Sequence, residues 1–151
     1  MKKFSILLAI LVFAQIAFSQ VKYNTYGNAR FGYSISYPSS LKPQGEADNG
    51  DGQVFKNADA ELRIWGSNLL LNETLPKEYA AILKEKVQSV SYKTIGKDFF
   101  VISGKSNGKI FYQKTTANTD GAFITFTFEY KESKRAIYDP ATTKIVKSLK
   151  V

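Results

Sequence analysis

The 151-residue chain contains no cysteine and no histidine. The first absence excludes disulfides, thiol nucleophiles and thiolate metal sites. The second excludes Ser-His-Asp triads and the imidazole ligands on which most zinc and iron centres depend. Lipidation after signal cleavage is excluded as well, because it needs a cysteine at the new amino terminus. Tryptophan occurs once, and acidic side chains are in the minority, 13 Asp plus Glu against 21 Lys plus Arg, for a net charge of +8. Phosphate-loop chemistry fails on spacing: Ser103-Gly104-Lys105-Ser106 has Phe99 where the first glycine of that motif belongs, and it does not supply the S-x-x-K of an acyl-enzyme either.

What is present begins with a targeting pattern. Met1-Lys2-Lys3 is a cationic start, Phe4 to Phe18 is an apolar run broken only by Ser5 and Gln15, and Ala17-Phe18-Ser19 offers small residues at a cleavage site. The run is shorter than the roughly 20 residues that span a bilayer. We therefore expect a signal peptide over residues 1–19, cut between Ser19 and Gln20; the competing reading of the same run is an uncleaved membrane anchor. The mature chain, residues 20–151, is expected to be exported and soluble, periplasmic or extracellular. It keeps 19 of the basic side chains against 13 acidic ones, a net charge of +6. Without disulfides in an oxidising compartment, core burial alone must hold it together, and a chain of this length builds one core.

Along that domain, Phe31 to Tyr37 alternates apolar with small polar residues, as a half-buried strand does, and Pro38 stops it. Pro43 to Gly52 reads as an exposed acidic loop punctuated by Gly45, Asp48-Asn49-Gly50 and Asp51-Gly52. Residues 53–56 and 60–65 form a hairpin with Leu62 and Ile64 on one face and Glu61, Arg63 and Trp65 on the other. Tyr79, Ile82, Leu83 and Val87 repeat at helical spacing over residues 75–89, after Thr74 as N-cap and Pro76 in the first turn. Strands are expected at 90–96, 98–104, 109–117 and 124–130. A closing helix is expected to start at Asp139-Pro140, with Ile145, Val146 and Leu149 as its apolar stripe. Hairpins with two separated helices make an α+β domain on an antiparallel sheet.

Arg30 to Leu41 (RFGYSISYPSSL), Asn49 to Gly66 (NGDGQVFKNADAELRIWG) and the closing Ile145 to Leu149 (IVKSL) carry a resemblance. Over about residues 26–150 the chain resembles a PsbP-like domain, the superfamily of the photosystem II extrinsic protein and of a Ran-binding nuclear-import factor. The resemblance implies an antiparallel β-sheet sandwiched by helices and a non-catalytic, adaptor-like role. It transfers no site residue.

The candidate chemistry is correspondingly sparse. Glu46 to Gly52 has the oxygen donors calcium takes, but Gly50 and Gly52 fall where an EF-hand places ligands, so a turn-rich loop is the simpler reading and no metal or cofactor is expected. Asp59 with Glu61, or Glu61 with Glu129, are the pairs a carboxylate-dependent hydrolase would need; nothing in the sequence beyond their presence supports catalysis. Trp65 is either core under a helix or a stacking platform. Lys144, Lys147 and Lys150, spaced at i+3 after Lys131, Lys134 and Arg135, form a basic stripe that could meet anionic lipid or polysaccharide. We expect a non-enzymatic accessory or protein-interaction module, with an envelope protein as partner, anionic lipid or polysaccharide as the alternative, and no nucleic acid.

Overall fold

The computed structural model describes residues 21–86 and 88–151. The expected signal sequence, with Ser19 and Gln20 at its cleavage point, lies outside the described residues, as does Val87. The elements in order are β1 (Tyr23–Asn28), β2 (Tyr33–Pro38), β3 (Lys42–Glu46), β4 (Gly52–Lys56), β5 (Ala60–Asn68), α1 (Leu75–Glu85), β6 (Val90–Ile95), β7 (Phe99–Ser106), β8 (Lys109–Ala117), β9 (Ala122–Lys131), a 3₁₀ turn (Glu132–Lys134) and α2 (Arg135–Ser148). Seven strands form one antiparallel sheet in the order β3-β4-β5-β9-β8-β7-β6, and β1 and β2 pair as a separate hairpin.

The sheet is organised around β9, which pairs through residues 122–130 with β5 on one side and through residues 123–131 with β8 on the other. Alternation along it sends Ile124, Phe126, Phe128 and Tyr130 to one face and Phe123, Thr125, Thr127 and Glu129 to the other. The first set joins Leu62 and Ile64 of β5, Phe55 of β4 and Tyr138, Ala141 and Ile145 of α2 in the main core. Tyr33, Ile35 and Tyr37 of β2 close it from outside, so the hairpin and α2 together roof this face. The carboxy terminus is stitched to the hairpin where Ser34 and Lys150 exchange backbone hydrogen bonds at 3.0 Å.

The opposite face has a smaller core, Leu75, Phe100 and Phe123, on which Tyr79 and Ile82 of α1 pack. The two helices thus lie on opposite faces of the sheet, and the α+β architecture is the expected one. A cross-strand hydrogen bond between the Thr115 and Thr125 hydroxyls, 2.9 Å, satisfies the polar centre of this face.

Three expectations about local structure need correction, and one strand was not expected at all. Residues 43–46 belong to strand β3, hydrogen-bonded to β4, although all five β3 residues are exposed; its sequence KPQGE has no apolar alternation to read, because an edge strand pairs through its backbone. Strand β1 carried no readable signal either, since Asn and Gly fill half of YNTYGN. Helix α1 stops at Glu85 rather than continuing to 89. Helix α2 begins at Arg135, not at Asp139-Pro140, and Pro140 sits inside it. Proline there removes one intrahelical donor. The earlier turn is kept because it buries Tyr138 against Phe128 and Tyr130 and lets Asp139 accept from the Tyr130 hydroxyl at 2.6 Å. Burial and that bond push the Tyr130 pKa up to about 12.

Leu62 is fully buried between α2 and the sheet, whereas Leu71 is 93% exposed. Leu62→Ala is expected to cost about 2–5 kcal/mol by denaturant unfolding, and Leu71→Ala to change stability by less than about 0.5 kcal/mol.

Candidate functional site

Helix α1 packs against β6, β7 and the Phe123 end of β9 and leaves β3, β4 and the remainder of β5 and β9 on that face without a helix above them. The side chains there are not those of a core: Arg63 and Lys56 are exposed, and Val54, Glu61, Trp65, Thr127 and Glu129 are partly exposed. Cross-strand register sets them out as a grid. Trp65 lies between Gly52 and Thr125, Arg63 between Val54 and Thr127, and Glu61 between Lys56 and Glu129.

Trp65 lines a concavity of about 370 Å³ together with Gly45, Asp51, Gly52, Val54 and Arg63. Gly52 is what allows β4 to close on β5 at this point: a Cβ there would stand 2.0 Å from the Ile64 carbonyl oxygen. The indole therefore faces a glycine rather than a side chain. The expectation that left Trp65 either under a helix or on a platform now has a geometry, a partly exposed ring in an open hollow that Arg63 also lines. Arg63 is tethered by Glu61 at 3.0 Å, both largely solvated, so the pair orients the cation more than it stabilises the fold.

The acidic segment forms the rim of that hollow, and its oxygens are turned to protein donors. Glu46 accepts from Tyr26 at 2.7 Å and from Asn28 at 3.3 Å. Asp51 accepts from Asn49 at 2.7 Å, the Asn49 carbonyl accepts from Arg30, and the Asp51 carbonyl accepts from Tyr33 at 2.9 Å. Burial is the main reason the Tyr33 hydroxyl is held well above its ordinary pKa. Among the described residues no group of three carboxylates is arranged as a cation site.

The basic stripe is divided by the structure. Lys144 and Lys147 are exposed on α2, but Lys150 lies past the helix end, on the strand-like bridge to Ser34. Lys131 and Lys134 both pair with Asp59, at 2.8 and 3.4 Å, and Arg135 pairs with Asp139 at 3.2 Å. Since α2 covers the face opposite Trp65, the four expected surface residues Trp65, Lys144, Lys147 and Lys150 do not form one site. Of the expected acid pairs, Asp59 is held by two lysines, and Glu61 stands directly across from Glu129. Arg63 was expected on the face of Trp65 and lies there, whereas Val54 and Gly52 were missed as neighbours; the readable signal was the hairpin register, which places Gly52 opposite Trp65.

No family model and no curated protein matches the chain. Solved structures do. The solution structure of cyanobacterial PsbP (CyanoP) from Synechocystis aligns with a TM-score of 0.63 and 14% identity over 89% of this chain and 95% of its own. The Ran-binding protein Mog1p of Saccharomyces cerevisiae aligns at 0.57, with 6% identity over 87% and 96%. LpqN of Mycobacterium tuberculosis, a protein involved in cell envelope biogenesis, aligns at 0.54, with 14% identity over 86% and 90%. The chain therefore has the PsbP/Mog1 fold; at these identities the likeness extends to the fold alone. No helix among the described residues is long and apolar enough to cross a membrane.

The Asp59 cluster yields a pH prediction. Hydrogen bonding to Lys131 and, less strongly, to Lys134 lowers the Asp59 pKa from its ordinary 3.8. A folded-state pKa below the unfolded one contributes stability that is present above 3.8 and lost as pH falls through the lower folded value. Asp59→Asn should therefore lower the melting temperature at neutral pH and flatten its decline below about pH 4, read by thermal unfolding across a pH series.

Proposed function

We propose that the protein is an exported accessory module of the cell envelope that catalyses no reaction and binds a partner protein through the open part of its α1 face. The observation that carries this reading is the partly exposed Trp65 in a hollow that Arg63 also lines, on sheet surface without a helix above it. Tryptophan and arginine are the residue types that dominate binding energy at protein interfaces, most of all where a partner side chain can enter a concave, desolvated spot. The surrounding Val54, Thr127, Glu61 and Glu129 supply the mixed polar ring that such an anchor needs. The adaptor-like role is in keeping with a fold shared by proteins described as Ran-binding and as involved in cell envelope biogenesis.

The absence of a reaction is supported by how the acids are used. Asp59 is committed to two lysines and Glu61 to Arg63, so neither expected pair offers two free carboxylates across a cleft.

A second reading has its own observation. Lys144, Lys147 and Lys150 are exposed, and among the described residues none is in an ion pair, so they could meet anionic lipid or polysaccharide. That surface is narrower than the sequence suggested, because the neighbouring Lys131 and Lys134 share the Asp59 carboxylate and Arg135 pairs with Asp139. Salt separates the two readings, since at about 0.5 M the screening length falls to a few Å.

The mature domain, immobilised and washed with envelope extract at low salt and again at about 0.5 M, should retain a protein partner in both. Trp65→Ala should weaken that partner by about 30-fold or more, the loss of an interface hot spot, while Lys144→Gln with Lys147→Gln should leave it in place. Retention that survives Trp65→Ala and vanishes with the lysine changes or with salt would overturn the first reading in favour of the second.

A further inference from the structure

A second hollow, of about 360 Å³, opens on the same face at the far side of the grid, between the carboxy-terminal end of α1 and the β7–β8 turn. Its floor is the ring of Phe111, 8% exposed, with the Lys86 ammonium 5.5 Å above the ring centre. Its walls carry four charges, Glu85 at the end of α1, Lys86 just after it, Lys109 from β8 and Glu129 from β9.

This hollow is built rather than left over. The chain leaving α1 is pressed onto β7 at Gly104, where a Cβ would stand 1.8 Å from the Ser89 carbonyl oxygen. That same oxygen accepts from the Lys105 amide at 3.0 Å. Gly104, Phe111 and Glu129 are consecutive cross-strand neighbours, so clamping Ser89 over Gly104 sets the end of α1 beside the Phe111 ring.

The charges are arranged in an unusual way. Among the described residues none of the four belongs to an ion pair, although two of each sign share one cavity. Glu129 also stands directly across β5 from Glu61, a like-charge pairing that destabilises a sheet, and Arg63 engages Glu61. Glu129 itself is left without an ion-pair partner among the described residues, and a local rule broken in this way marks a place to look for a ligand.

The geometry points to a binding site for a small zwitterion, an amino acid or dipeptide with free amino and carboxyl ends. Glu129 receives the ammonium, Lys109 and Lys86 receive the carboxylate, and the apolar body rests on Phe111. A ligand of one charge would satisfy half of the walls and leave the other half facing it with the same sign. The volume is at the small end for ligand pockets and suits one or two residues, not a polymer.

Titration calorimetry of the mature domain with L-leucine and with alanyl-leucine tests this. We expect saturable one-to-one binding of at least one of them at or below about 1 mM, weakened tenfold or more when the amine is acetylated or the carboxylate amidated. Glu129→Gln should abolish the preference for a free amine and keep that for a free carboxylate; Lys109→Gln should do the reverse. Trp65→Ala should leave this binding unchanged, which separates the site from the proposed partner surface. No saturable heat with either probe, or binding indifferent to both caps, would overturn the proposal. Should a charge variant fail to fold, the capped ligands carry the test on the unaltered protein.

Discussion

Two helices cannot roof both faces of a seven-stranded sheet. Six strand spacings make the sheet about 29 Å wide, whereas a helix with its side chains covers about 10 Å. Apolar residues can occupy a face only where something lies over it, so the sequence of every strand follows from where the cover falls. On the main-core side α2 is joined by the β1–β2 hairpin, and β5 and β9 can place Leu62, Ile64, Phe126 and Phe128 there in full burial. On the other side α1 works alone above β6, β7 and the Phe123 end of β9, and burial gives way to Arg63, Glu61, Thr127 and Glu129 as the strands run out from under it.

The same limit explains why candidate sites collect on one face. Main-core residues interdigitate from three directions, leaving hydrogen bonds such as Tyr130 to Asp139 to tie the layers together. The α1 face has a covered third, a polar seam at Thr115 and Thr125, and then open sheet. Hollows form at the two borders of that open region, one at the β3–β5 edge and one at the end of α1. Both are made possible by a glycine at a close backbone approach, Gly52 against β5 and Gly104 against Ser89.

Much of the architecture was legible in the sequence because burial on one side of a strand imposes period two. Strands β2, β5 and β9 alternate cleanly, and the Trp65 side of β5 was assigned to the face it occupies. Strands β1 and β3 were not legible: they lie at edges or outside the main sheet, are held by backbone bonds, and bury little. The start of α2 was misplaced because Asp-Pro is a strong local signal for a helix start, and the local signal lost to Tyr138, whose ring reaches Phe128 and Tyr130 only if the helix is already under way. The hollow around Trp65 needed the register between β4 and β5, and the second hollow needed α1 to end at Glu85, which no periodicity in residues 75–89 announced.

Charge shows the same dependence on tertiary placement. A net +8 spread over a linear sequence suggested a basic stripe at the carboxy terminus, yet folding pairs three of its six cations, Lys131, Lys134 and Arg135, with nearby carboxylates. Asp59, in the tight β4–β5 turn, is brought to Lys131 and Lys134 by the pairing of β5 with β9, which also aligns Lys131 with the Asp59 carbonyl at 2.9 Å. The excess of cations is thereby redistributed, and the unpaired charges that matter most are those the fold holds near opposite charges without letting them meet. Lys86, Lys109, Glu85 and Glu129 meet that description, since each is fixed by a different constraint: the α1 terminus by Gly104, Lys109 by the turn at Asn107 and Gly108, and Glu129 by its place in the central strand. Relieving the repulsion between Glu61 and Glu129 would require only a lysine nearer to Glu129. The sheet register puts Phe111 in the adjacent position instead, so the carboxylate is left to face the cavity.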